Sequence, residues 1–91
     1  MQLLARRYRG ADGEVDLIMQ DGHCLVFVEV KARPSSHAGT GFLAISPKKI
    51  ARIKRAALTY AVEHGCLESP MRFDAVEITK DGMHHIKNAF Q

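Results

Sequence analysis

Four charged residues occupy positions in two predicted strands where apolar side chains would be expected. Glu14 and Asp16 lie in the segment EVDLIMQ, and Glu29 and Lys31 lie in CLVFVEVKA. Carboxylate oxygens are the ligands that Mg²⁺ and Mn²⁺ prefer. A lysine two residues from a carboxylate is placed to orient or deprotonate a metal-bound water. These residue types therefore favour metal-dependent hydrolysis of a phosphodiester.

The elements that must position these groups are two strands joined by a tight turn. Residues 14–20 and 24–32 are rich in β-branched and aromatic side chains, which is typical of strands. Asp21-Gly22 lies between them and predicts a two-residue hairpin loop, because both residue types tolerate the positive φ of a type I′ turn.

That register decides which side chains meet. It places Glu14 opposite Glu29 and Asp16 opposite Phe27, and alternation along each strand then separates the two faces. One face is expected to carry Glu14, Asp16, Glu29 and Lys31, and the other, the expected core face, Val15, Leu17, Val26, Val28 and Val30. Crowded carboxylates destabilise a sheet and raise each other's pKa unless a cation is present. The pattern fits a metal site and a solvated strand face equally well.

The remaining elements complete an α+β domain. Ser46 as N-cap, Pro47 at the first helical position and Gly65 after the last turn predict a helix over 46–64. Its expected apolar stripe is Ile50, Ile53, Ala57, Tyr60 and Ala61. Further predicted strands cover residues 2–9, 71–79 and 83–90, the last two joined at Asp81-Gly82, and residues 33–45 are predicted to be a substrate-contacting loop. The predicted order is β, β-hairpin, α, β, β.

A cluster of cations on the predicted helix indicates phosphate contact. Lys48 and Arg55 delimit five cations in eight residues, with no acid interleaved to neutralise them. The expected nucleic-acid contacts are Arg33, Lys48, Lys49, Arg52, Lys54 and Arg55. A solvated helix face is the alternative. No aromatic residue interleaves these cations, so the sequence does not indicate base stacking.

Composition bounds the class of protein. The chain has 91 residues, which predicts a single domain over 1–91. Its net charge of +3 leans towards an anionic partner. The basic N-terminus has no apolar core of a signal peptide, and no apolar run reaches the length of a membrane span. We therefore expect a cytoplasmic protein without a membrane partner.

The motifs GEVDLI, FVEVKAR, KIARIKRAALTY, RFDAVEI and IKNAF together resemble the YraN-type family of uncharacterised bacterial proteins. They also resemble the wider PD-(D/E)XK nuclease superfamily, in particular its Holliday-junction-resolvase-like branch. The resemblance covers nearly the whole chain. It implies a restriction-endonuclease-like mixed sheet, with Asp16, Glu29 and Lys31 on the catalytic Asp, Glu and Lys positions. Related proteins usually begin with a further helix, which often carries another acid, and this chain is expected to lack it.

The sequence therefore predicts a nucleic-acid-binding protein that resembles metal-dependent endonucleases. Asp16 and Glu29 are expected to hold Mg²⁺ or Mn²⁺ with Glu14 as a helper, and Lys31 is expected to act on the attacking water. DNA is the expected partner, and a homodimer is compatible with the resemblance. One alternative is a non-catalytic DNA-binding or assembly module that keeps the nuclease fold. Another is a small structural or dimerising protein whose acids are merely solvated.

Overall fold

A computed structural model describes residues 1–10, 13–33 and 46–90, excluding the side chain of Arg33. Of the loop predicted over 33–45, Arg33 belongs to a strand, and residues 34–45 lie outside the described residues. The fold is α+β: a mixed five-stranded sheet with one helix on one face. Its elements are β1 (Gln2–Arg9), β2 (Glu14–Asp21), β3 (Cys24–Arg33), α1 (Pro47–Glu63), β4 (Met71–Thr79) and β5 (Gly82–Ile86).

Helix α1 begins and ends where its capping residues predict. The Ser46 hydroxyl accepts a hydrogen bond from the Lys49 amide at 3.1 Å, and Pro47 takes the first turn, where no amide donor is needed. Gly65 follows the helix with φ +65°, the left-handed conformation that closes a helix. The prediction of this helix is confirmed.

The strands lie in the order β1-β2-β3-β4-β5. Neighbouring strands are antiparallel except β3 and β4, which are parallel and connected through α1. A parallel pair needs such a crossover, and the helix of the crossover covers one face of the sheet. The last strand is shorter than the predicted 83–90, because the turn lies at Lys80-Asp81 and the ladder ends at Ile86.

The register predicted for the β2–β3 hairpin is wrong. Asp21 pairs with Cys24, so the two-residue loop is Gly22-His23 rather than Asp21-Gly22. Gly22 has a positive φ of +61°, whereas the φ of His23 is not positive. This matches a turn in which glycine takes the first loop position, as in type II′. Ile18 consequently lies opposite Phe27.

The core face also differs from the prediction. Helix α1 packs on the face that carries Ile18, Leu25 and Phe27, which is the same face as Glu29. The buried helix residues are Ile53, Ala56, Ala57, Tyr60 and Ala61. Both faces of the hairpin are apolar near its turn, so the pattern alone could not decide which one the helix covers. Of the predicted core residues, Val15 packs in the same cluster as the helix residues, whereas Val26 and Val28 are buried on the opposite face.

Close packing fixes β1 and β2 against the helix. A side chain at Gly13 would place its Cβ 2.6 Å from the Arg52 carbonyl oxygen, and one at Gly10 would place it 2.8 Å from the Cα of Ala56. Glycine is therefore required where the β1–β2 connection passes α1. No helix that the structure describes is long and apolar enough to cross a membrane.

Candidate metal and nucleic-acid site

Asp16 lies where strands β2 and β3 diverge. Their ladder ends at the pair Leu17–Val28, and the Asp16 carboxylate then accepts a hydrogen bond from the amide of Val30 at 2.8 Å. On the neighbouring strand β1, Arg7 adopts a left-handed φ of +51° between the pairs Arg6–Leu17 and Tyr8–Val15. The hydrogen bond from the Val30 amide holds the Asp16 side chain against β3.

Glu29 is the buried acid of the site. Its side chain is 6% exposed, and its pKa is raised from 4.5 to about 7. Burial is the largest cause of this rise, followed by a hydrogen bond with Asp16 and by the negative charge of Asp16. The structure thus brings Asp16 and Glu29 together, although through a register that differs from the predicted one. A buried carboxylate beside a second, half-buried one is stabilised by a nearby positive charge.

Lys49 supplies such a charge. Its Nζ lies 3.5 Å from Oε1 of Glu29, and its charge lowers the pKa of Glu29 against the larger opposing effects. Lys49 was predicted to contact nucleic acid, which stays a prediction, and the structure places its side chain beside Glu29. Lys49 lies in the first turn of α1, which Ser46 caps.

Lys31 lies two residues beyond Glu29 on β3, so alternation puts both on one face. In the regular β3–β4 ladder Lys31 pairs with Glu77, a fully buried acid on the same face. Glu77 was not predicted to belong to the site. The signal that could have identified it is an acid in the alternating strand MRFDAVEIT at a position facing the core.

An open cavity of about 740 Å³ adjoins Asp16. Its lining includes Arg6 and Arg7 together with Asp16, Leu17 and Val30. Two arginines beside an acid form an environment that attracts an anion such as a phosphate diester. The crowding of arginines in β1 was visible in the sequence, but their position beside Asp16 depends on the order of the strands.

Glu14 is not part of the acid pair. Its carboxylate accepts from Nε of Arg9 at 3.2 Å, and its side chain is 41% exposed. Within the described residues, no three histidine, cysteine, aspartate or glutamate side chains come close enough to hold a metal ion together. Asp16 and Glu29 are the two carboxylates of the candidate site that the structure brings together.

The predicted helix cations separate in space. Lys48, Arg52 and Arg55 are exposed, Lys49 turns to Glu29, and Lys54 lies with its Nζ 5.9 Å from the centre of the Phe73 ring. A five-residue cation cluster on a helix cannot share one face, since successive residues are turned by about 100°. The remaining predicted contact, the side chain of Arg33, lies outside the described residues.

The sequence model of uncharacterised protein family UPF0102 matches residues 1–78. The chain belongs to this family. It is 40% identical to a UPF0102 protein of Geobacter metallireducens, an alignment that covers 99% of the chain and 77% of the relative. A UPF0102 protein of Shewanella amazonensis is 42% identical, with 99% and 82% covered. The UPF0102 membership confirms the predicted YraN-type resemblance.

The family name carries no activity, so the function of this UPF0102 protein must be inferred from its own residues. The Geobacter sulfurreducens relative, 39% identical over 99% of the chain, likewise has a name that states only the family. The chemistry of Asp16, Glu29 and their neighbours is therefore the basis for the following proposal.

Proposed function

We propose that this UPF0102 protein binds DNA and hydrolyses its phosphodiester bonds with Mg²⁺ or Mn²⁺. The observation that carries the proposal is that the half-buried Asp16 carboxylate adjoins the buried Glu29, whose pKa is raised to about 7 first by burial and then by the hydrogen bond and negative charge of Asp16. A pair of this kind is stabilised by a cation. The restriction-endonuclease-like resemblance of the sequence is consistent with the same role.

The donor set fits a small, hard cation. Mg²⁺ is commonly bound by one or two carboxylates and keeps several waters or substrate oxygens as further ligands. Asp16 and Glu29 supply two carboxylates, and the cavity of about 740 Å³ beside Asp16 leaves room for water and phosphate. Such an ion polarises the phosphate and lowers the pKa of a bound water.

The protein's own groups have distinct tasks in this proposal. The hydrogen bond from the Val30 amide fixes the Asp16 carboxylate in the gap between strands. Arg6 and Arg7 attract the phosphate backbone into the cavity that they line. Lys31, on the face of Glu29, orients the attacking water. Lys48 and Arg52 on the exposed side of α1 hold flanking phosphates without reading sequence.

A cleavage assay tests the proposal. Full-length protein is incubated with duplex, single-stranded and branched DNA, in Mg²⁺ or Mn²⁺. We expect cleavage that falls at least about 100-fold in Asp16→Asn and in Lys31→Ala, since each removes a group that acts on the reacting atoms. Glu68→Gln, which removes an exposed carboxylate from the loop before β4, is the matched control and should cleave as the wild type does. Cleavage that survives in Asp16→Asn would contradict the proposal.

A non-catalytic DNA-binding module is the second candidate. It is favoured by the small donor set, because only two carboxylates of the described residues converge. In that case DNA affinity falls steeply with salt, as phosphate contacts require, while neither metal supports cleavage. Absence of DNA binding at low salt would exclude both candidates.

A further inference from the structure

A second cavity adjoins α1 and shares no described lining residue with the arginine-lined one. It encloses about 480 Å³ between the helix, strand β4 and the segment after β5. Its walls include Lys54 and Leu58 of the helix, Phe73 of β4, and Asn88 and Phe90. None of these residues touches the acid pair, so the proposed cleavage site does not explain the cavity.

Three aromatic rings form a column that ends at this cavity. Phe27 and Phe73 have ring centroids 5.6 Å apart with planes inclined by 28°, and Phe73 and Phe90 repeat the arrangement at 5.6 Å and 29°. Phe27 is fully buried, whereas Phe73 and Phe90 are half-buried. The column thus runs from the core to the surface. A flat ring at its outer end would extend the same offset stack.

The outermost ring is held in place by backbone. The amide of Ala89 donates to the carbonyl of Phe73 at 2.9 Å, and the amide of Asn88 donates to Asp74 at 3.1 Å. Asn88 adopts φ +51°, a left-handed conformation that asparagine tolerates better than most residues. These contacts fix Phe90 beside Phe73 although no strand continues to that point.

Polar groups stand around the rings in a pattern suited to a nucleotide. Lys54 places its ammonium 5.9 Å from the centre of Phe73 and forms no ion pair with another described residue. Asn88, which lines the cavity, carries an amide that can both donate and accept. An aromatic platform, a cation and an amide are the groups with which proteins bind unpaired bases and their phosphates.

We propose that this cavity is a stacking subsite for one unpaired nucleobase, with Phe90 as the platform and Lys54 as the phosphate contact. The inference rests on the proposed function, because it assumes a bound nucleic-acid strand. Ala75 of β4 pairs with Glu29 of β3. Phe73 lies two residues before Ala75, and two residues of a strand span about 7 Å. The inner ring of the subsite therefore lies on the strand next to the one that carries Glu29, and on the same face of the sheet as Glu29. The subsite specifies a substrate with single-stranded or splayed-out bases.

The test uses a short single-stranded DNA that carries the fluorescent base 2-aminopurine, with EDTA present to prevent cleavage. Wild-type protein should bind it and quench the fluorescence at one position of the strand. Phe90→Ala should weaken binding about 10-fold and abolish that quenching. Phe90→Tyr should restore both, since a flat ring is retained. Val62→Ala, on the exposed face of the same helix, is the matched control and should behave as the wild type does.

The results distinguish failure of the stacking subsite from failure of DNA binding as a whole. If the wild type binds DNA but Phe90→Ala binds and quenches equally well, the stacking subsite is wrong and the proposed function stands. If Phe90→Leu restores affinity as fully as Phe90→Tyr, the cavity takes an aliphatic group, such as a peptide side chain, and the subsite is again wrong. If the wild type binds no DNA, the proposed function itself fails. Thermal unfolding of each variant confirms that the comparison concerns folded protein.

Discussion

Asp74 and Glu29 are both buried acids of the same sheet, but their surroundings shift the pKa in opposite directions, down for Asp74 and up for Glu29. Asp74 accepts from Nε and Nη2 of Arg72 at 2.8 and 3.0 Å, from His85 Nε2 at 2.7 Å and from the Asn88 amide at 3.1 Å. Burial alone would raise the pKa of Asp74, but these hydrogen bonds and the charge of Arg72 outweigh it, so the pKa is lowered.

Glu29 has the opposite balance. It is nearly as buried, but its neighbour is another acid, Asp16, and its cation, Lys49, lies 3.5 Å away and is itself 44% exposed. Burial and then the neighbouring Asp16 raise its pKa to about 7, because Lys49 offsets only part of their effect. The fold can thus surround a buried acid with enough donors and positive charge to lower its pKa, as it does for Asp74. An acid left close to a like charge is typical of a functional site.

Removal of the partner of Asp74 should change the free energy of unfolding most. Arg72→Ala leaves Asp74 buried without its principal partner and should lower the free energy of unfolding by about 3–5 kcal/mol. Arg9→Ala is the control, because it breaks the exposed Arg9–Glu14 pair and should cost less than about 1 kcal/mol. Urea unfolding at pH 7 measures both. Equal losses in the two variants would remove the structural half of the comparison.

Neutralising Glu29 should instead raise the free energy of unfolding at high pH. Because the pKa of Glu29 is raised in the folded state, its stabilising contribution is complete below about pH 4.5 and is lost as the pH rises through about 7. Glu29→Gln should therefore raise the free energy of unfolding by about 1–3 kcal/mol at pH 8 and change it little at pH 4.5. Unfolding of both proteins at the two pH values measures this. A variant less stable than the wild type at pH 8 would show that Glu29 is well compensated.

The smallest expected effect distinguishes two neighbouring cations. Lys49→Ala removes the charge beside Glu29, and because Lys49 is partly exposed the loss should be only about 0.5 kcal/mol at pH 8. Lys48→Ala, on the exposed side of the same turn, should leave the stability unchanged. Thermal unfolding in low salt resolves the two. Identical stabilities would mean that Lys49 does not compensate Glu29.

The sequence predicted the elements well because their signals are local. Ser46 and Pro47 begin the helix, and Gly65 follows its end, as capping preferences require. The strand near the N-terminus, Gln2–Arg9, and the strand Met71–Thr79 also have the predicted bounds. Each of these decisions depends on residues within a few positions.

Register and face were beyond those signals. Gly22 serves the hairpin turn from either loop position, so Asp21-Gly22 and Gly22-His23 are both acceptable locally. With Gly22-His23 as the loop, Asp16 no longer lies opposite Phe27. It lies just beyond the last pair of the ladder, Leu17–Val28, beside Glu29. Likewise, neither Arg7 at φ +51° nor the approach of Lys49 to Glu29 has a local signature, since both arise from the packing of distant segments.

The claim that Asp16 and Glu29 form a cation site is tested most directly by calorimetric titration of full-length protein with Mn²⁺ and Mg²⁺. We expect saturable binding to the wild type, strong loss of binding in Asp16→Asn and in Glu29→Gln, and unchanged binding in Glu68→Gln. Bound metal should also raise the unfolding temperature of the wild type but not that of Asp16→Asn or Glu29→Gln. Saturable binding that persists unchanged in Asp16→Asn and Glu29→Gln, or no binding to the wild type, would contradict the claim.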